Sequence, residues 1–166
     1  MNLRSAIYPL HVIVAALKRS GLAESVLIGN MAAAVHGASV LTDDFDYLVP
    51  PFADLPRRIR ALAKVLGAVV LPPKKHPYGT TTLFIEDTNI QIDLLRHMDG
   101  ISSFRALRTR ARPEPKLDDT VVASLRDIIT SKRAAGRPKD FAVLPELEAT
   151  LHEIEKKNRK RPAVRR

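Results

Sequence analysis

Apolar residues at Leu10, Ile13, Val14 and Leu17 recur at the spacing of one helix face. Pro9 suits a first helical position there, and Gly21 after Lys18-Arg19 suits a stop. Val26-Leu27-Ile28 is short and wholly apolar, which predicts a buried strand, and 30–36 reads as a short alanine-rich helix packed on it. Residues 44–49 then alternate, with Phe45, Tyr47 and Val49 on one face and Asp44, Asp46 and Leu48 on the other, before Pro50-Pro51 stops the strand. DLPRRIRALAKVLG predicts a helix with Asp54 as its cap, Pro56 just inside and Gly67 as terminator. A third strand is expected over 68–71 and a loop over 72–79.

Two further strand-like runs, 80–86 and 90–95, flank Asp87-Thr88-Asn89 and predict a hairpin. In the second run Ile90, Ile92 and Leu94 point one way while Gln91 and Asp93 point the other. Residues 99–120 show little periodicity; Pro113-Glu114-Pro115 reads as extended and Val121-Val122 as a short strand. Ser124 and Asp127 resemble a capping box for a helix reaching Ala135 and stopping at Gly136. Pro138 opens a last helix carrying Phe141, Leu144, Leu147, Leu151 and Ile154 at near-helical spacing. The predicted class is α+β: a small mixed sheet with packed helices and a helical C-terminal part. The expected division is a core over 1–120, the helical part over 121–155 and a disordered basic tail over 156–166.

Composition changes this picture little. With 166 residues, 45% apolar and 27% charged, the chain is long enough for one ordinary globular core. It has no cysteine, so disulfides and thiolate metal sites are excluded. No stretch approaches a membrane span, the N-terminal run reads as an amphipathic helix and not a signal peptide, and a cytoplasmic protein is expected. The net charge of +9 is local. Residues 156–166 hold seven Lys or Arg and no acid, leaving 20 basic against 18 acidic groups in the body. Such a run suits loose phosphate contacts to RNA, or solubility alone.

The chemistry gathers in VLIGNMAAAVHGASVLTDDFDYLV, residues 26–49. A strand running into Gly29-Asn30 and a helix start offers backbone N–H groups to an anion. Asn30 as a plain helix cap explains the same residues. Asp44 and Asp46 put two carboxylates on one strand face, as a hard divalent cation needs, and Asp93 takes the polar phase of a later strand. A phosphate cradle followed by a metal-binding pair suggests chemistry on a nucleoside triphosphate. The clustered carboxylates repel one another, so one of them should hold its proton to higher pH without metal. His36 before Gly37 reads as a structural contact, and Thr42 as a turn cap. Lys132 near a helix C-terminus and Asp140 in a first turn are both favoured by the helix dipole alone. Arg133, Arg137 and Lys139 suit phosphate binding or a solvated face equally.

Gly29-Asn30, His36-Gly37, Thr42-x-Asp44-x-Asp46 and the later Asp93 together resemble the nucleotidyltransferase superfamily that shares the DNA polymerase β palm. The chain looks most like its small bacterial AbiEii-type and minimal nucleotidyltransferases, and SLRDIITSKRAAGRPKDFAVLPEL is similar to that group as well. The likeness spans residues 25–148, with Asn30 standing where the family pattern has Gly or Ser. It implies catalysis and metal binding by Asp44, Asp46 and Asp93, and nucleotide binding by Gly29, Asn30, Thr42, Lys132 and Asp140. A nucleoside triphosphate is the implied donor with Mg²⁺ as cofactor. The implied acceptors are a tRNA or other RNA end, a partner protein such as a cognate toxin or antitoxin, or a small molecule such as an aminoglycoside. A binding protein of the same fold with weak or lost catalysis is the alternative, and Asn30 is its main support.

Overall fold

A computed structural model of the chain describes residues 3–72 and 79–160, with side chains from Pro9 to Arg159. The elements run α1 (Leu3–Arg19), β1 (Val26–Ile28), α2 (Gly29–Val35), β2 (Asp44–Leu48), α3 (Leu55–Leu66), β3 (Ala68–Val70), β4 (Thr81–Ile85) and β5 (Gln91–Leu95). They continue through α4 (Phe104–Arg110), β6 (Arg112–Glu114), a 3-10 turn (Pro115–Leu117), β7 (Thr120–Val122), α5 (Leu125–Ala135) and α6 (Pro138–Lys160). The seven strands form one mixed sheet in the order β3-β4-β5-β2-β1-β7-β6. β2 lies at its centre, antiparallel to β1 and parallel to β5.

Alternation explains the core. Phe45, Tyr47, Leu83, Ile92 and Leu94 are buried on one face of the sheet, where Leu10, Ile13, Met31, Leu55 and Leu62 from the helices join the same cluster. All three residues of β1 are buried, as the wholly apolar run predicts. Leu125, Ile128, Leu144 and Leu147 belong to that cluster too, so the C-terminal helices share the core of the sheet. Among the described residues no helix is long and apolar enough to cross a membrane.

Several expectations need correction. Pro9 lies inside α1, which begins at Leu3; the buried stripe Leu10, Ile13, Val14 and Leu17 carries the helix past the one hydrogen bond a proline forfeits. Asp54 occupies the N-cap position of α3 but makes no cap bond with its side chain; its carboxylate accepts from Arg58 Nε at 2.7 Å instead. The 99–120 segment holds α4, capped by Ser103 Oγ, which accepts from the Ala106 N–H at 3.1 Å. Only Leu107 of α4 is buried, so no periodic stripe marks it. Pro113 sits on the edge strand β6, where a missing N–H costs no ladder bond. Phe141 is 56% exposed and leaves the apolar face assigned to it. The helix α6 reaches Lys160, five residues into the stretch read as a tail; residues 161–166, and 73–78 of the loop, lie outside the described residues.

Tyr47 is fully buried, and its hydroxyl has no hydrogen-bond partner among the described residues. Burial pushes its ionisation far above the ordinary tyrosine range. Replacing an unpartnered buried hydroxyl with hydrogen is expected to leave stability unchanged or raise it by up to about 1 kcal/mol. Urea denaturation of Tyr47→Phe measures this; a loss of about 1 kcal/mol instead would mean the hydroxyl has a partner.

Candidate active site

Strand register assembles the carboxylates. Ile28 pairs with Asp46, Asp46 with Asp93, and Asp93 with Thr82, so these four form one row across β1, β2, β5 and β4. One step back along the strands Asp44 pairs with Gln91. The phase opposite the core therefore holds Asp44, Asp46, Gln91, Asp93 and Thr82 together. They line a cavity of about 450 Å³, whose walls also include Gly29, Asn30, Thr42, Lys132, Arg137, Lys139 and Asp140. All eight residues singled out from the sequence meet there.

Gly29 is required by two observations. Its φ is +68°, and a Cβ there would stand 2.2 Å from Asp46 Oδ2. Asn30 does not cap α2; Ile28 holds that position, without a side-chain cap bond. Its Oδ1 is instead buried and unpartnered among the described residues, as is Thr80 Oγ1 elsewhere in the cavity. Thr42 Oγ1 accepts the Asp44 N–H at 3.2 Å, so it braces the backbone of the first carboxylate. His36 is the structural contact expected: its ring Nε2 lies 2.7 Å from the Ala123 carbonyl oxygen.

Asp93 is held from two sides. Thr82 Oγ1 donates to Oδ1 at 2.5 Å, and Gln91 Nε2 donates to Oδ2 at 3.0 Å. Neither brace stands out in the sequence, because polar residues at alternate strand positions read as a solvated face. Across the cavity stands a basic wall from the α5–α6 junction. Asp140 Oδ1 accepts from Lys132 Nζ at 3.3 Å, and its Oδ2 accepts from Arg137 Nε at 2.5 Å. Lys132 lies in the last turn of α5, where the Gly136 N–H closes the helix on the Lys132 carbonyl at 3.1 Å.

The electrostatics divide between the walls. Burial pushes the Asp46 carboxyl up to about 7, with Asp93 and Asp44 adding repulsion against the pull of Lys132 and Lys139. Burial also lowers Lys132, while Asp140 and Asp46 hold it up. Asp140 shows the reverse balance: burial raises it, but the Arg137 hydrogen bond and the Lys132 charge together leave it below the usual carboxylate range. Among the described residues no three His, Asp or Glu side chains stand ready as a metal-ligand group. Mg²⁺ is ordinarily held by one or two carboxylates, with substrate phosphates and water completing its shell. The all-oxygen pair Asp44 and Asp46, open to the cavity and strained by repulsion, fits such an ion.

A pH dependence follows. Between about pH 4 and 7 the folded protein keeps on Asp46 a proton that the unfolded chain has released, so stability from this group falls as pH rises through that window. Asp46→Asn removes the penalty. In chelator, urea denaturation should find Asp46→Asn more stable than the parent at pH 8 and the two converging towards pH 4. A less stable variant at pH 8 would contradict the assignment.

No family model and no curated protein matches the chain. Solved structures do. The chain is similar to the solution structure of the antibiotic-resistance factor ANT(2'')-Ia, with a TM-score of 0.58 and 14% identity over 95% of both chains. It is similar also to the crystal structure of ANT(2'')-Ia in complex with adenylyl-2''-tobramycin, with a TM-score of 0.62 and 18% identity over 89% of this chain and 90% of that one. The mixed sheet with its packed helices is thus similar in fold to these structures.

Proposed function

We propose that this chain is a Mg²⁺-dependent nucleotidyltransferase that moves a nucleoside monophosphate from a triphosphate to an acceptor hydroxyl. The observation that carries the reading is the register of Asp46 beside Asp93, with Asp44 on the same face, opposite Lys132 across one cavity. Asp44 and Asp46, with Asp93 beside them, would hold Mg²⁺, whose charge offsets the negative charge that develops on the transferred phosphoryl group.

The chain's own groups divide the remaining work. The acceptor oxygen forms a bond to the α-phosphorus as the bond to the pyrophosphate oxygen breaks. Asp93, oriented by Thr82 and Gln91, keeps lone pairs free to take the acceptor's proton. Lys132 and Lys139 face the polyphosphate, and the Gly29-Asn30 turn with its unpartnered amide oxygen borders the same space. Clearance at Gly29 keeps Asp46 directed into the cavity.

For the acceptor, an RNA end is supported by the exposed Lys156, Lys157 and Arg159 at the close of α6, part of the basic run 156–166. A small polyhydroxylated amine is the second reading, favoured by the likeness to a structure that carries adenylyl-2''-tobramycin. A partner protein in a toxin–antitoxin pair is an acceptor arm of the same test.

The experiment incubates the protein and Mg²⁺ with each α-labelled triphosphate and, separately, total tRNA, an aminoglycoside panel or a cell lysate. Label is expected to pass to one acceptor class, and Asp44→Asn or Asp46→Asn to reduce transfer at least about a hundredfold, the scale of several kcal/mol of lost transition-state stabilisation. Triphosphate binding without transfer across all acceptors would favour a binding protein of the same fold. Transfer that survives both substitutions would overturn the site.

A further inference from the structure

We infer that Asp140 is a positioning residue of the proposed nucleotide site, one that sets Lys132 and Arg137 in place without itself touching the nucleotide. The inference rests on the nucleotidyltransferase reading and departs from the direct nucleotide contact that the family resemblance implies for Asp140.

Burial and geometry carry it. Asp140 is 1% exposed, and both of its oxygens are committed to the protein's own cations. Oδ1 accepts from Lys132 Nζ and from Arg137 Nη2, each at 3.3 Å, while Oδ2 accepts from Arg137 Nε at 2.5 Å. Its backbone is fixed as well, since the Asp140 N–H donates to the Arg137 carbonyl at 2.8 Å. A carboxylate buried to 1% exposure behind its own two cations presents almost no surface to a sugar or base, and it repels phosphate. Its effect on a nucleotide must pass through the two cations.

The need for such a tether lies across the cavity. The Lys132 side chain is only 12% exposed and feels the charge of Asp46 as well as that of Asp140. A buried ammonium without a partner is costly, and Asp44, Asp46 and Asp93 supply the opposing charge on the facing wall. Asp140 therefore holds Lys132 back from the carboxylates. Lys132 so held lines the cavity it shares with the carboxylates, where a polyphosphate would meet its ammonium.

A double-mutant cycle tests this. The dissociation constant of an α,β-methylene triphosphate with Mg²⁺, and kcat and KM for transfer, are measured for the parent, Asp140→Asn, Lys132→Met and the double variant. Each single substitution is expected to weaken nucleotide binding about tenfold and to raise KM more than it lowers kcat, while the double variant loses less than the two single losses combined, the share that Asp140 exerts through Arg137 being all that is added to Lys132→Met. Asp140→Glu, which keeps the charge, is expected to bind within about threefold of the parent and serves as the folded comparison if Asp140→Asn does not fold. Additive losses in the cycle, an Asp140→Asn variant that binds like the parent, or a folded Asp140→Glu that binds tenfold more weakly would each overturn the inference. A parent chain that binds no triphosphate would overturn the nucleotidyltransferase reading with it. A parent that binds and transfers while Asp140→Asn is unaffected would overturn the role of Asp140 alone.

Discussion

Two carboxylates held side by side by a backbone ladder are the constraint on which the site depends. Asp46 and Asp93 are register partners on adjacent parallel strands, which places their backbones about 4.8 Å apart whatever their charges prefer. Side chains can swing apart, but the ladder cannot. The repulsion is met locally: Thr82 and Gln91 bind both oxygens of Asp93, and Lys132 and Lys139 act on Asp46 from the opposite wall. Burial, with what remains of the repulsion, shows as the proton that Asp46 retains towards neutral pH.

The two walls are built and balanced differently. On the helical side Asp140 is enclosed by Lys132 and Arg137, so that wall settles much of its charge internally and keeps a fixed shape. On the sheet side Asp44, Asp46 and Asp93 converge, and their excess charge points into the cavity. A site of this kind asks for a ligand with both signs, a cation against the sheet and an anion against the helices. A metal–triphosphate pair has that character.

Strand alternation made much of this legible. Phe45, Tyr47, Ile92 and Leu94 fix the buried face, and the polar phase of Asp44, Asp46 and Asp93 follows from them. The Ser124 cap and the Gly136 stop of α5 were readable for the same local reason, a side-chain or left-handed termination that few residue types provide. What escaped is non-local or unburied. Polar phase and the family resemblance group Asp93 with Asp44 and Asp46, but the parallel pairing across more than forty residues that sets it beside Asp46 is encoded by no local pattern. The helix α4 buries a single leucine and so leaves no stripe to detect. Phe141 has helical spacing but faces solvent, because the first turn of α6 turns Asp140 inward.

The missing Cβ of Gly29 links the turn opening α2 to the carboxylate of Asp46 on the next strand. Any Cβ at position 29 would meet the Asp46 carboxylate before it met anything else. The contour of the turn and the aim of the carboxylate therefore form one degree of freedom. Sequence drift or redesign cannot tune the fit to an anion without also moving the seat of the cation. Variation in ligand preference then has to come from the helical wall, where Lys132, Arg137 and Lys139 are free of that coupling.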